Sequence, residues 1–131
     1  DALVDSVYVA LGSLILLGYD EKEYDRYLGA AFRKEPRSLN ADTLVQMSYE
    51  LEKAWDRDRH EDICQILADI VVHCYFRATC SQFDFGEAFK IVHEVNMTKI
   101  RAKKPEDSKR GSTLDVVKPE GWTPPDLSGC V

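Results

Sequence analysis

The sequence predicts an all-α protein, a helical bundle of about five helices built from a duplicated helix–cap–helix unit, with an extended C-terminal tail. Three observations carry this. Two long apolar stretches, Asp1 to Asp20 and Gln65 to Asp84, place their few polar side chains at helical spacing: Gln65, Asp69, His73 and Arg77 recur every four residues and so share one stripe. Helix-boundary residues fall where these stretches end, and no segment shows the strict alternation of a strand.

Taken in order, Asp1 to Leu17 is apolar nearly all round, which suits a central helix of a bundle. Gly18 is placed to end it as a left-handed cap. Asp20 with Glu23 forms a capping-box-like start for a second helix reaching about Arg33, and Lys34 to Leu39, with Pro36, is a connector. Asn40 caps a third helix to about Arg57, with Leu44, Met47, Leu51 and Ala54/Trp55 as its core stripe and Glu50 beside that stripe. Asp56 to Glu61 is a charged turn before the Gln65 helix. Asp84 and Glu87 repeat the capping arrangement for a fifth helix to about Ile100. From Arg101 onward the chain is polar and carries Pro105, Pro119, Pro124 and Pro125, as an extended tail would.

A shift of 64 residues aligns Leu3 with Leu67, Asp5 with Asp69, Val7 with Val71, Asp20 with Asp84 and Glu23 with Glu87. This points to an internal duplication. The first repeat spans 1–36 and the second, with the tail, 37–131, the two together forming one compact domain. Because Asp1 already lies inside a helical pattern, a further segment is expected upstream of it.

A chain of 131 residues is long enough to bury a real core. The net charge of −6 argues against nucleic acid as a partner, since phosphate neutralisation wants clustered Lys and Arg. The longest uncharged run, Ser6 to Tyr19, has 14 residues and is short for a bilayer span, so no membrane partner is expected. Cys64, Cys74, Cys80 and Cys130 form no CxxC pair, and three lie in or beside an apolar helix, which suggests reduced thiols and a cytoplasmic location.

The carboxylates carry the chemistry. Asp1 and Asp5 are one helical turn apart and can converge on one cation, with Glu50 and Asp69 as further oxygen donors. All-carboxylate ligation suits Mg²⁺, or Mn²⁺. Asp1 and Asp5 would equally serve a helix N-terminus through its dipole. Asp69 stands mid-run among apolar residues and needs a partner: a cation, Arg77 or His73. No Ser/His/Asp or Cys/His arrangement and no glycine-rich phosphate loop is present. Asn96 and Lys99 could present an amide and a cation to a nucleotide, or be solvated.

At DALVD with Tyr8, Val9 and Gly12, at QILADIVV, and at Val92, His93, Asn96, Met97 and Lys99, the sequence resembles the all-α nucleoside triphosphate pyrophosphohydrolases of the MazG type, in their phosphoribosyl-ATP pyrophosphohydrolase-like branch of bacteria and phages. The tail from Lys118 to Leu127 (KPEGWTPPDL) is similar as well. The resemblance implies Mg²⁺-dependent hydrolysis of an NTP or dNTP to the monophosphate and pyrophosphate. It implies Glu50 and Asp5 as catalytic groups, with Asp1, Asp5, Glu50 and Asp69 as metal ligands. Asn96, Lys99 and Lys118 become nucleotide contacts, and the assembly a dimer or tetramer of identical chains. The sequence also departs from the pattern. Gln46 and Met47 stand where acids are expected, Gln65 replaces the first aspartate of the second pair, and Phe32 and Glu35 stand where Asn and Lys should be. Two outcomes follow: one working site shared by two incomplete repeats, or a decayed protein that only binds nucleotide or assembles.

Overall fold

The computed structural model describes residues 2–34 and 40–131. Five α-helices account for most of them: α1 (Ala2–Leu16), α2 (Glu21–Arg33), α3 (Ala41–Asp56), α4 (His60–Cys80) and α5 (Phe85–Met97). The protein is all-α, with one two-stranded ladder, in its tail, among the described residues. Packing divides the chain into two compact units, Asp1–Phe85 and Gly86–Val131.

In the first unit α4 is the hub, packed against α1, α2 and α3. Its buried residues Ile63, Cys64, Leu67, Ala68, Val71, Val72, Cys74 and Ala78 lie on more than one side of the helix, as a segment surrounded by neighbours requires. It is also long and apolar enough to cross a membrane by length and composition, and half of that apolar span is buried within the bundle. The other helices are one-sided. α1 buries Val4, Val7, Ala10 and Leu14, at helical spacing. α2 contributes Ala31, which meets Ala68 and Val72 under Tyr27, Leu28 and Phe76. α3 buries Met47 and Ala54.

Several boundaries fall where local chemistry put them. The Asp20 carboxylate accepts from the backbone N–H groups of Lys22 and Glu23, both at 2.9 Å, and Asn40 accepts from Thr43 N–H at 2.9 Å. Gly18 closes α1 with a left-handed φ of +80°. Other expectations change. α4 begins at His60, inside the charged run read as a turn, because Glu61 and Asp62 favour a helix N-terminus. α1 is not the central helix: Val9, Ile15 and Leu16 face outward at 67%, 70% and 89% exposure. Trp55 is exposed while its neighbour Ala54 is buried, as a rotation of about 100° between successive helical residues demands.

In the second unit α5 buries Ala88 and Val92. The chain leaves it at Met97, earlier than expected, because Ile100–Arg101 (β1) pairs antiparallel with Val116–Val117 (β2), and the Arg101 guanidinium donates to the Leu114 carbonyl at 2.7 Å. The tail is therefore partly ordered by hydrogen bonds. Lys99 and Lys118 place their ammonium groups 5.5 and 4.2 Å from the ring centre of Trp122, within cation–π range.

Candidate functional site

The first unit carries a groove of about 350 Å³ between two facing helices. α3 supplies Glu50, Lys53, Ala54 and Arg57, and α4 supplies Asp62, Gln65, Ile66 and Asp69. Both sets follow the spacing i, i+3, i+4, i+7, so each is one helical ridge. Lys34, just beyond the end of α2, and Arg59, at the start of α4, complete the rim.

Two of the predicted carboxylates, Glu50 and Asp69, thus come together in one groove. The Asp69 carboxylate accepts from Gln65 Nε2 at 2.9 Å and pairs with Lys34 Nζ at 3.4 Å, and it is largely shielded from solvent. Its partners are an amide and a lysine rather than Arg77 or His73. Glu50 accepts from Gln46 Nε2 at 3.2 Å. Asp62 is paired with Arg59. Lys53 and Arg57 make no ion pair among the described residues, which leaves two cations on the α3 ridge facing solvent across the groove.

These cations were missed by sequence reasoning. The signal was there: Lys53 and Arg57 follow Glu50 at i+3 and i+7, a second stripe running beside the apolar one on α3.

Asp5 goes elsewhere. It is exposed on α1, at a separate groove of about 430 Å³ lined by Ser6, Val9, Ala10 and Ser13 of α1, Leu44, Ser48 and Leu51 of α3, and Leu67 and Ile70 of α4. That lining is apolar and hydroxylic, and Asp5 has no second carboxylate there among the described residues. Asp1 lies outside the described residues. Among the described residues no three His, Cys, Asp or Glu side chains group as a metal-binding set. Asn96, Lys99 and Lys118 belong to the second unit, where Lys99 and Lys118 flank Trp122.

Buried titratable groups elsewhere in the first unit serve packing. His73 is 3% exposed with Nε2 unpaired, and burial, helped by the Arg77 charge, pushes its pKa down. Burial pushes the Cys74 thiol up to about 11. A side-chain hydrogen bond with Cys64, reinforced by burial, raises the Tyr19 hydroxyl. Cys64, Cys74 and Cys80 are free thiols.

Compared with known protein families, with curated proteins and with solved structures, the chain finds no significant match.

Proposed function

We propose that the chain is a nucleotide pyrophosphohydrolase of the MazG-like kind, which binds a nucleoside triphosphate at the α3–α4 groove and releases the monophosphate and pyrophosphate. The observation that carries this reading is the groove itself. It sets Glu50 and Asp69, from two helices, beside the cations Lys53 and Arg57. The donor set fits Mg²⁺, or Mn²⁺, which is commonly held by one or two carboxylates together with substrate phosphates. Glu50 and Asp69 would hold it, with Lys34 giving way at Asp69. Bound there, the cation would neutralise the triphosphate and polarise the phosphorus under attack.

The remaining work falls to this chain's own side chains. Lys53 and Arg57 offset charge on the non-reacting phosphates and fix their position. Glu50 takes the proton of the attacking water, and the Gln46 amide orients its carboxylate. Asn96, Lys99 and Lys118, the nucleotide contacts that the resemblance implies, belong to the second unit and are not among the residues lining this groove. Asp5, which aligns with Asp69 across the 64-residue shift, stays outside this site. The outward apolar residues of α1 support assembly of identical chains, and the reading places the protein in the cytoplasm of a bacterial or phage-infected cell.

A second reading has its own observation. The Lys34 ammonium stands on Asp69, and amides at Gln46 and Gln65 replace expected acids. Such a site would bind a phosphorylated nucleotide without cutting it. Pyrophosphate release from a panel of NTPs and dNTPs with Mg²⁺ separates the two. Hydrolysis predicts release by the wild type and a loss of at least about 100-fold in Glu50→Gln or Asp69→Asn, with helicity unchanged. Saturable nucleotide binding with no release from any nucleotide would establish the second reading instead.

A further inference from the structure

In the second unit a depression of about 510 Å³ at the β1–β2 loop is lined by Lys109, Arg110 and Lys118, by Val116 and Val117, and by the carboxylates Asp107 and Asp115. The two acids in that lining, Asp107 and Asp115, are both engaged in holding the loop. The Asp115 carboxylate accepts a hydrogen bond from the hydroxyl of the buried Ser108, Ser108 Oγ in turn accepts from Arg110 N–H at 3.0 Å, and the Asp107 carboxylate accepts from Lys104 N–H at 3.1 Å. Ala102 N–H donates to the Asp115 carbonyl at 2.9 Å, tying the same loop to the chain just beyond β1. Lys109, Arg110 and Lys118 carry no ion pair among the described residues, and Lys118 is steadied by its position 4.2 Å from the Trp122 ring centre.

We propose that this depression is a second anion site, which takes the di- or triphosphate group of a small phosphorylated ligand. Three cations free of ion pairs outnumber the two carboxylates, which are turned to loop hydrogen bonds, so the lining is net positive toward an anion, and Arg110 can take two phosphate oxygens at once. The volume is that of a small-ligand site. Within the stretch from Lys99 to Lys118 there are seven basic residues and three acidic ones, in a chain whose net charge is −6, so the positive potential is local to this loop. The site shares no residue with the Glu50–Asp69 groove and does not depend on hydrolysis there.

Trp122 makes the site readable. The chain has two tryptophans, and Trp55 is exposed on α3, so Trp55→Phe leaves Trp122 as the sole indole beside Lys118. Inorganic triphosphate titrated into that protein, without divalent cation, should change Trp122 emission to saturation. Lys109→Gln with Arg110→Gln, both exposed positions, should weaken the midpoint at least about tenfold. Glu50→Gln with Asp69→Asn should leave it unchanged, which separates this site from the groove of the first unit. No saturable change, or a change indifferent to Lys109 and Arg110, overturns the assignment. A single-stranded oligonucleotide that saturates the signal at a tenfold lower phosphate concentration than triphosphate also overturns it, in favour of a nucleic-acid backbone.

Discussion

The two helix–turn–helix segments of this protein, α1 with α2 and α4 with α5, share one local backbone plan and differ in what surrounds it. A shift of 64 residues carries the last residue of α1, Leu16, onto the last residue of α4, Cys80, and both ends of α2, Glu21 and Arg33, onto both ends of α5, Phe85 and Met97. The turns agree as well. Gly18 at φ +80° corresponds to Gln82 at +57°, and the bond from Gly18 N–H to the Ile15 carbonyl corresponds to that from Gln82 N–H to the Thr79 carbonyl. The side chains do not follow. Val9 is two-thirds exposed, whereas its counterpart His73 is buried, and exposed Asp5 corresponds to Asp69 in its charged groove. The difference teaches that the local plan goes with the aligned boundary and turn positions, while the site comes from the neighbour. α4 has α3 beside its acidic stripe, and α3 brings Glu50, Lys53 and Arg57.

The largest effect that tests this comparison is in the core. Leu14 of α1 is fully buried and corresponds to the fully buried Ala78 of α4. Leu14→Ala should cost about 3 kcal/mol through lost transfer energy and a residual cavity. Ala78→Leu should cost about 1–3 kcal/mol through overpacking. Urea unfolding of both variants measures this. A loss of less than about 1 kcal/mol for Leu14→Ala would show that α1 is not seated on α4.

The next effect depends on pH. His73, on the hub helix, is held neutral by burial and by Arg77, so its folded pKa lies below the unfolded value of about 6.5. The unfolded chain therefore takes up this proton first, and the contribution to stability, complete above that value, is lost as pH falls through it. The slope cannot exceed about 1.4 kcal/mol per pH unit for one proton. Unfolding midpoints at pH 7.5 and 5.5 should converge more in His73→Leu than in the wild type. Parallel losses in the two proteins would mean that His73 does not titrate as a buried group.

What could be read from the sequence follows the same division between local and non-local causes. Asp20, Asn40 and Gly18 act on backbone groups within four residues, so their roles were visible without a fold. The helical character of both apolar stretches was visible in their spacing, though not which of them is the hub, and the need of Asp69 for a partner was visible in the cost of burying an unpaired carboxylate. The identity of that partner was not visible, because Lys34 reaches Asp69 only through the packing of α2 on α4. Lys53 and Arg57 were overlooked because the apolar stripe of α3 dominates its pattern. The β1–β2 ladder has two residues per strand, too few for alternation to register, and is fixed by Arg101 and Ala102 bonding across the loop.

The smallest effect is the most direct test of the repeated backbone. Gly18 and Gln82 occupy equivalent left-handed positions, yet only one is the residue that adopts such a φ freely. A side chain there costs about 1 kcal/mol, because Cβ crowds the following carbonyl. Gly18→Gln, which gives the first turn the residue of the second, should therefore destabilise by about that amount, since no neighbouring atom lies within 4 Å of a Cβ at this position and sterics beyond the backbone add nothing. Gln82→Gly should stabilise by up to about 1 kcal/mol, offset in part by the greater freedom of glycine in the unfolded chain. Opposite signs for the two exchanges, read as shifts in the unfolding midpoint at unchanged slope, are what equivalent turns require. The same sign for both would break the equivalence at its most local point.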